Sequence, residues 1–276
     1  MKIAVLQTGV AADKDKNLLS AENSIKAAAE QGADLVMLPE MFCCPYSNAF
    51  FGEFSEPAEG KIWTALSETA AENSVAVVAG SMPESAEGRL YNTSFVFERK
   101  GRQIARHRKV HLFDVNFQGG QYFKESDTFT AGNEITVFDF EGMRFGLCIC
   151  FDMRFPELTR LMTLQGAQAI LVPAAFNMTT GPMHWETMFR QRAVDDQVYT
   201  IGCAPARDEN AEYISYGNSI ICSPLGEVIR RAGTGVEMLL ADLDPESIRS
   251  ARAQLPLLSG RRTDLYDVIS GNCETL

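Results

Sequence analysis

The segment GLCICFDMRFPE, residues 146–157, reads as an apolar strand that ends in a cysteine and is followed by a helix opening at Pro156. Proline suits the first helical turn, where its missing N–H would have no intrahelical partner. Open α/β folds bind ligands beyond the carboxyl ends of their strands, which is where the Cys150 thiol would lie. Nearby backbone N–H groups and the helix start would favour a thiolate or an oxyanion there. The alternative is an ordinary buried thiol, which is what we expect of Cys148.

Outward from this segment, the sequence alternates strands and helices. The predicted strands are Lys2–Thr8, Asp34–Pro39, Val75–Gly80, Leu90–Phe97, Gln103–Val110, Ile135–Phe140, Met143–Ile149, Ala169–Pro173, Tyr199–Ala204 and a pair around Pro224-Leu225-Gly226. The predicted helices are Asp13–Gln31, Lys61–Asn73, Pro156–Gln165 and His184–Gln197. Strands separated by helices indicate a largely parallel sheet covered by helices, to which two hairpins add antiparallel strands. Because no linker divides the 276 residues, we expect a single α/β domain.

Composition and charge exclude several classes of partner. The formal net charge is −11, so the surface would repel phosphate backbones and anionic lipid headgroups. We therefore expect neither nucleic acid nor a membrane as a partner. The longest later apolar stretch, Ala169 to Phe176, is too short to span a bilayer, which takes about 20 residues. Seven cysteines, an odd number, together with no visible export signal, predict reduced thiols in the cytoplasm.

Two further side chains could carry chemistry, although each has an ordinary explanation when taken alone. Glu40 directly follows the apolar run Leu35–Pro39 and could act as a general base with a pKa raised by partial burial. The alternative is a glutamate in a surface loop. Lys109 ends the second strand of a predicted hairpin, where its ammonium could stabilise an oxyanion. The alternative is a basic residue that protects a sheet edge from aggregation.

Motifs for other chemistries are absent from the sequence. The histidines are His107, His111 and His184, and neither His-Glu-x-x-His nor a paired Cys-x-x-Cys pattern occurs, so we expect no metal. No phosphate loop, dinucleotide fingerprint or Gly-x-Ser-x-Gly elbow is present, and we expect no organic cofactor. A Cys-His dyad would require one of the three histidines to approach Cys150.

Three short segments stand in a characteristic order: Leu38–Met41 (LPEM), Arg108–Asp114 (RKVHLFD) and Cys150–Glu157 (CFDMRFPE). Together they resemble the nitrilase superfamily of carbon–nitrogen hydrolases, and the resemblance covers nearly the whole chain. Within that superfamily the sequence looks most like the Nit-type omega-amidases. Supporting segments are Cys44–Ser47, Leu90–Thr93, Asn177–Glu186, Arg192–Asp195 and Ser223–Glu227.

The resemblance implies an α/β fold of the nitrilase type, a four-layer α-β-β-α sandwich in a single domain that commonly forms homodimers. The carbon–nitrogen hydrolase domain would occupy residues 1–250. The C-terminal tail, residues 251–276, would pack on this domain or on a partner subunit. The sequence departs from the usual pattern at Cys148, where such enzymes often carry glycine, and at Cys43-Cys44, where asparagine and serine are more usual.

The resemblance also implies a site. Its Glu-Lys-Cys triad would be Glu40, Lys109 and Cys150, with the backbone N–H of Phe151 donating to the oxyanion. A second glutamate of the family matches Glu125, which would hold Lys109 in a supporting role. The alternative for Glu125 is a solvated loop carboxylate.

The substrate-binding residues are a separate prediction. Arg154 could grip a substrate carboxylate with its guanidinium, or it could form a structural ion pair with Glu157 or Asp152. Hydroxyl contacts to the substrate could come from Tyr46, Thr179 and Thr180. The alternative for these three residues is ordinary loop capping.

The sequence therefore predicts a thiol amidohydrolase that converts a small linear amide into a carboxylate and ammonia through a thioester on Cys150. The implied class is an omega-amidase acting on 2-oxoglutaramate or 2-oxosuccinamate. An N-carbamoyl-amine hydrolase, a deaminated-glutathione amidase or a true nitrilase is the alternative within the superfamily. A non-catalytic binding or redox-sensing protein with an exposed thiol is the alternative from another class.

Overall fold

The computed structural model of the protein describes residues 1–116 and 122–271. The strands are β1 Lys2–Gln7, β2 Leu35–Met37, β3 Ala76–Val78, β4 Met82–Ala86, β5 Arg89–Phe97, β6 Gln103–Arg108, β7 Asp114–Asn116, β8 Tyr122–Lys124, β9 Thr136–Phe140, β10 Met143–Leu147, β11 Ala169–Pro173, β12 Tyr199–Cys203, β13 Ile220–Cys222, β14 Val228–Arg231 and β15 Glu237–Asp242. The helices are α1 Lys14–Glu30, α2 Asn48–Phe54, α3 Lys61–Glu72, α4 Pro156–Leu164, α5 Gly181–Asp196 and α6 Pro245–Gln254.

The strands form two large sheets and a small hairpin. The first sheet has the order β15-β1-β2-β3-β5-β4, with β6 also paired to β5. The second has the order β14-β13-β12-β11-β10-β9, and β7 pairs with β8. The middle of each large sheet is parallel, β1-β2-β3 in one and β10-β11-β12 in the other, while the flanking strands are antiparallel. The alternation of strands and helices predicted a single sheet. That prediction is wrong, because the strands form two large sheets.

The two sheets pack face to face, and helices cover their outer faces. The side chains of β1 point alternately to two different cores, which explains why residues 3–6 of this strand are all apolar. Ile3 and Val5 lie in the core between the sheets, whereas Ala4 and Leu6 lie in the core that contains α1 and α3 residues. A third core joins the second sheet to α4 and α5. This arrangement confirms the four-layer α-β-β-α architecture that the resemblance implied.

Several elements were not predicted. The helices α2 and α6 and the edge strands β4 and β15 are additions to the sequence-based assignment. Strand β4 contains Pro83, which a strand at the edge of a sheet accommodates because its outer side pairs only through a short bridge with Glu56. Helix α5 begins at Gly181 rather than at His184. The N–H groups of Thr179 and Thr180 donate to the Asn177 side chain just before this helix, which explains its earlier start.

Helix α6 crosses residue 250, where the sequence placed the end of the domain. Beyond it the chain has few regular elements up to residue 271. Its exposed apolar side chains are Leu255, Leu257, Leu265, Tyr266 and Ile269. Packing of this tail on a partner subunit stays a prediction.

The described cysteines behave as apolar residues. All six of them are buried and free, and Cys273 lies outside the described residues. In the same part of the chain, no helix combines the length and apolarity needed to cross a bilayer.

The contact between the second sheet and α5 gives a test of the fold. A Cβ atom added to Gly202 of β12 would lie 2.4 Å from Cζ of the buried Phe189 ring. We therefore expect Gly202→Ala to lower the free energy of unfolding by about 1–3 kcal/mol through overpacking. The control is Gly52→Ala in α2, where nothing lies within 4 Å of the added atom. Equal urea unfolding curves for the two variants would contradict this packing.

Candidate active site

Glu40, Lys109 and Cys150 meet just beyond the ends of β2, β6 and β10. Lys109 Nζ lies 2.9 Å from Glu40 Oε1, and the buried Cys150 thiol interacts electrostatically with both of these groups. The three residues are 0%, 1% and 5% exposed in the order Glu40, Lys109, Cys150. This burial corrects two alternatives, because Glu40 is no surface-loop residue and Lys109 is no exposed edge-strand cation. A redox sensor with an exposed thiol is also disfavoured.

The Glu40 carboxylate is held by three different parts of the chain. Its Oε1 accepts hydrogen bonds from Lys109 Nζ and from Asn92 Nδ2, each at 2.9 Å. Its Oε2 accepts the backbone N–H of Ala175, which follows β11, at 2.8 Å. Since both oxygens are occupied by fixed donors, the carboxylate presents one orientation to the thiol.

Glu125 lies on the other side of the Lys109 ammonium. Its Oε2 is 2.8 Å from Lys109 Nζ and accepts the Phe113 backbone N–H at 2.6 Å. Its Oε1 accepts a hydrogen bond from Asn92 Nδ2 at 3.0 Å. Glu125 is completely buried, so the alternative of a solvated loop carboxylate is wrong.

Asn92 joins the two carboxylates and was not recognised from the sequence as a site residue. Its Nδ2 donates to both Glu40 and Glu125, and its backbone oxygen accepts the Lys109 N–H at 2.8 Å. The segment Leu90–Thr93 contributed to the resemblance, which was the available signal. The role itself depends on the pairing of β5 with β6, which brings Asn92 next to Lys109.

The charges of the site depend on one another. Burial alone would lower the pKa of the Lys109 ammonium, but Glu125 and Glu40 raise that pKa above its ordinary value. Burial raises the pKa of Glu125, and Lys109 offsets this effect only in part. The ammonium is therefore firmly protonated and shared between two carboxylates.

The Cys150 thiol keeps its proton in the resting site. Burial and the neighbouring Glu40 carboxylate raise the pKa of this thiol well above its ordinary value, and Lys109 offsets only part of the increase. Deprotonation of Cys150 therefore requires a neighbouring base, and Glu40 is the carboxylate that interacts with this thiol.

The backbone at Cys150 is a tight turn. Its φ of 48° lies in the left-handed region, which is unusual for a residue with a side chain and is common at functional sites. Residues Cys150–Arg154 form a short 3₁₀ helix. The first N–H groups of a helix have no intrahelical acceptor, so the Phe151 N–H is of the kind that can donate to an oxyanion.

Arg154 does not form either of the predicted structural ion pairs. Within the described residues, no carboxylate of Glu157, Asp152 or any other residue lies at ion-pair distance from its guanidinium. The guanidinium carbon lies 4.7 Å from the Phe176 ring centroid, and Nη1 is 3.1 Å from His184 Nδ1. Arg154 also interacts electrostatically with Cys150. A largely buried cation thus remains near the thiol without a carboxylate partner.

The three predicted hydroxyl residues occupy different places. The Tyr46 hydroxyl is 3.5 Å from both Glu40 Oε1 and Lys109 Nζ, so it lies at the triad. The Thr180 hydroxyl donates to Asn177 Oδ1 at 3.1 Å, and Thr179 is exposed with its N–H on the same oxygen. The two threonines therefore take part in loop capping, as the alternative stated.

A Cys-His dyad is not formed among the described residues. His107 and His111 both contact the Asp152 carboxylate, and His184 contacts Arg154. No group of three or more potential metal-ligating side chains occurs in that part of the chain either. The charged groups of this site that interact with Cys150 are thus the Glu40 carboxylate and the Lys109 ammonium.

A cavity opens beside Glu40. It measures about 250 Å³, and its walls include Glu40, Met41, Tyr46, Ala175 and Tyr213. The Tyr46 and Tyr213 rings lie 4.5 Å apart between centroids. The Ala175 N–H, which belongs to this wall, donates to Glu40 Oε2, so the cavity opens at the Glu40 carboxylate of the site. A small organic molecule fits this volume.

Comparisons with known proteins identify the family of the chain. A family model described as carbon-nitrogen hydrolase matches residues 2–253. The chain is 43% identical over 267 residues to omega-amidase NIT2 of Bos taurus, covering 97% of both chains. It superimposes on the crystal structure of Saccharomyces cerevisiae Nit3, a member of branch 10 of the nitrilase superfamily, with a TM-score of 0.87, 40% identity and coverage of 95% of this chain and 96% of that one.

A more distant solved structure is that of a Nesterenkonia sp. AN1 amidase variant, which shows the result of Michael addition of acrylamide at its active-site cysteine. Its TM-score is 0.76 at 26% identity, over 93% of this chain and 98% of that chain. With the family match and the close relatives, these findings show that the chain belongs to the carbon–nitrogen hydrolase family.

The buried ion pairs predict a pH-dependent stability change in Lys109→Met. Without the ammonium, Glu40 and Glu125 are left as unpaired buried carboxylates, and we expect a loss of about 3–5 kcal/mol in unfolding free energy near neutral pH. Burial already raises the pKa of Glu125, and loss of the Lys109 charge would raise it further above its unfolded value. The variant should therefore be less destabilised at pH 5 than at pH 8, since stability from groups with raised pKa values is lost as pH rises.

Urea unfolding of the wild type and variant at both pH values measures this effect. The control is Lys109→Met combined with Glu125→Gln, which removes one of the two charges and should recover part of the loss. Equal stability of wild type and single variant at pH 8 would contradict the described charge balance.

Proposed function

We propose that Cys150, Glu40 and Lys109 hydrolyse a small linear amide through a thioester, and that the protein is an omega-amidase. The chain is a hydrolase of carbon–nitrogen bonds by its family. The observation that carries the proposal is the burial of the Cys150 thiol beside the Glu40–Lys109 ion pair, with which the thiol interacts electrostatically. A nucleophile, a proton acceptor and a cation are thus neighbours in one site.

The first half-reaction forms the thioester. Glu40 takes the Cys150 proton as the sulfur attacks the amide carbonyl carbon, which gives a tetrahedral intermediate. Collapse of this intermediate breaks the C–N bond, and Glu40 returns the proton to the leaving nitrogen, so ammonia departs. Because the pKa of the free thiol is raised, the proton moves only when an electrophile is in place.

The oxyanion of the tetrahedral intermediate needs positive partners. The Lys109 ammonium is fixed by Glu40 and Glu125 at 2.9 and 2.8 Å, so it requires no reorganisation when the charge develops. The Phe151 N–H would supply a second donor from the 3₁₀ turn. In comparable sites, loss of one such donor lowers turnover by about 10²–10³.

The second half-reaction releases the acid. Glu40 is unprotonated again once ammonia has left, so it can activate a water molecule for attack on the thioester. The proton that it accepts then returns to the departing Cys150 sulfur. One carboxylate serves both halves because each half leaves it in the protonation state that the other requires.

The substrate class follows from Arg154. Its guanidinium has no carboxylate partner among the described residues, and it lies within electrostatic range of Cys150. A carboxylate at the far end of the substrate would supply that partner. The similar protein from Bos taurus is named as an omega-amidase, and an omega-amidase substrate would have such a carboxylate. We therefore propose 2-oxoglutaramate or 2-oxosuccinamate as the substrate.

We further propose that the protein acts in the cytoplasm as a homodimer or a higher homo-oligomer. Six buried free thiols agree with a reducing compartment. The exposed apolar side chains between residues 255 and 269 agree with a partner subunit.

Replacement of the nucleophile tests the mechanism. We expect Cys150→Ala to release no ammonia while its circular dichroism and melting temperature stay near those of the wild type. Mass spectrometry of an acid-quenched wild-type reaction should find the acyl adduct on Cys150. The control is Cys148→Ala, which should retain turnover. An adduct carried by Cys148 or Cys44 would assign the nucleophile elsewhere.

A substrate panel combined with an Arg154 variant tests the proposed class. We expect the wild type to release ammonia from 2-oxoglutaramate or 2-oxosuccinamate faster than from glutamine, asparagine, carbamoylputrescine or simple nitriles. Arg154→Lys should raise KM for the oxo-acid amides about tenfold or more, because a charge-assisted hydrogen bond contributes roughly 1.5–3 kcal/mol. KM for butyramide, which has no carboxylate, is the control and should not change.

Other results would redirect the assignment. Carbon dioxide released together with ammonia would indicate an N-carbamoyl-amine hydrolase. Turnover of deaminated glutathione would indicate a deaminated-glutathione amidase, and turnover of nitriles would indicate a true nitrilase. An unchanged KM for oxo-acid amides in Arg154→Lys would contradict the carboxylate clamp.

A further inference from the structure

Asp152 is a completely buried carboxylate that lies between the segments carrying Lys109 and Cys150. Its Oδ1 accepts the backbone N–H groups of Val110 at 3.2 Å and His111 at 2.8 Å, and lies 2.9 Å from His111 Nδ1. Its Oδ2 accepts the Ile149 N–H at 3.0 Å and lies 3.0 Å from His107 Nε2. Five nitrogens therefore surround one side chain.

The backbone N–H groups that donate to Asp152 belong to residues next to Lys109 and next to Cys150. Val110 and His111 directly follow Lys109, while Ile149 directly precedes Cys150. Lys109 follows β6 of the first sheet, and Cys150 follows β10 of the second sheet. A single side chain thus ties together the backbone next to both residues, across the boundary between the two sheets.

His107 strengthens the link from the first sheet. It is a buried residue of β6, and its Nδ1 lies 2.9 Å from Thr136 Oγ1 while its Nε2 faces Asp152. Because an ionised carboxylate only accepts hydrogen bonds, the Nε2 atom that faces it carries a hydrogen. Burial alone would raise the pKa of Asp152, but the hydrogen bonds from His107 and His111 hold that pKa well below its ordinary value.

We infer that Asp152 is a positioning residue that sets the distance between the Lys109 ammonium and the Cys150 sulfur, and thereby the rate of acylation. This inference rests on the proposed function of those two residues. Asp152 touches neither the thiol nor the ammonium and acts through the backbone that carries them. Reacting groups need close alignment, and a displacement of about 1 Å can lower a rate roughly 10²-fold.

The substitution Asp152→Asn keeps the size of the side chain but replaces one acceptor oxygen with an NH₂ group. Whichever oxygen is replaced, the NH₂ group must face backbone N–H donors, either near His111 or at Ile149, and the hydrogen bonds on that side are lost. We expect kcat and the single-turnover rate of thioester formation on 2-oxoglutaramate to fall about 10²-fold, while KM changes much less, because Arg154 is also held by Phe176 and His184.

The matched control is Asp196→Asn. Asp196 is also a buried carboxylate, but its partner is Arg160 at 3.1 Å, at the far end of α5 from Thr180. We expect this variant to lose stability in urea unfolding and to keep the wild-type kcat. A comparable loss of kcat in Asp196→Asn would mean that destabilisation alone explains the result, and would overturn the inference.

A second pair of variants covers the case in which Asp152→Asn does not fold. His107→Gln retains an N–H that can reach Asp152, whereas His107→Ala removes it. We expect His107→Gln to keep most of the wild-type kcat and His107→Ala to lose it with KM little changed. Equal kcat values for these two variants, or a folded Asp152→Asn with wild-type kcat, would overturn the inference. Turnover by Cys150→Ala would instead contradict the proposed function itself.

Discussion

The interaction on which the site depends is the burial of the Lys109 ammonium between two carboxylates. A charged amine in a protein interior costs several kcal/mol unless its partners are in place. Glu40 and Glu125 lie 2.9 and 2.8 Å from it, and Asn92 fixes both carboxylates relative to each other. The loops after β2 and β6 and the 3₁₀ helix Glu125–Asp127 are therefore held together by electrostatics as well as by packing.

This constraint also explains why two sheets are needed. Glu40 and Lys109 leave strands of the first sheet, whereas Cys150 leaves a strand of the second. Face-to-face packing brings the thiol of one sheet against the charged pair of the other. The apolar core between the sheets, which contains Val5 and Leu147, thus holds the Cys150 thiol and the Glu40 carboxylate at a fixed separation.

Much of this could be predicted from the sequence. The apolar strands and the amphipathic helices are periodic local patterns, and they predicted an α/β domain and put Glu40 and Cys150 just after strands. The resemblance supplied the four layers and the identity of Glu125. The division of the strands into two sheets could not be predicted from alternation, because that pattern records which elements follow one another and not which of them pair. The roles of Asn92 and Asp152 depend on hydrogen bonds between residues far apart in the chain.

The raised pKa of the Cys150 thiol has a consequence for chemical vulnerability. Peroxides and most cysteine-directed drugs react with the sulfur anion rather than with the neutral form. In the proposed mechanism the Cys150 thiol stays neutral until an acyl group arrives, and it therefore resists such damage while the enzyme is idle. Selective covalent inhibitors designed on this mechanism should imitate the carbonyl and the distal carboxylate of the proposed substrate, so that the electrophile itself triggers proton removal by Glu40.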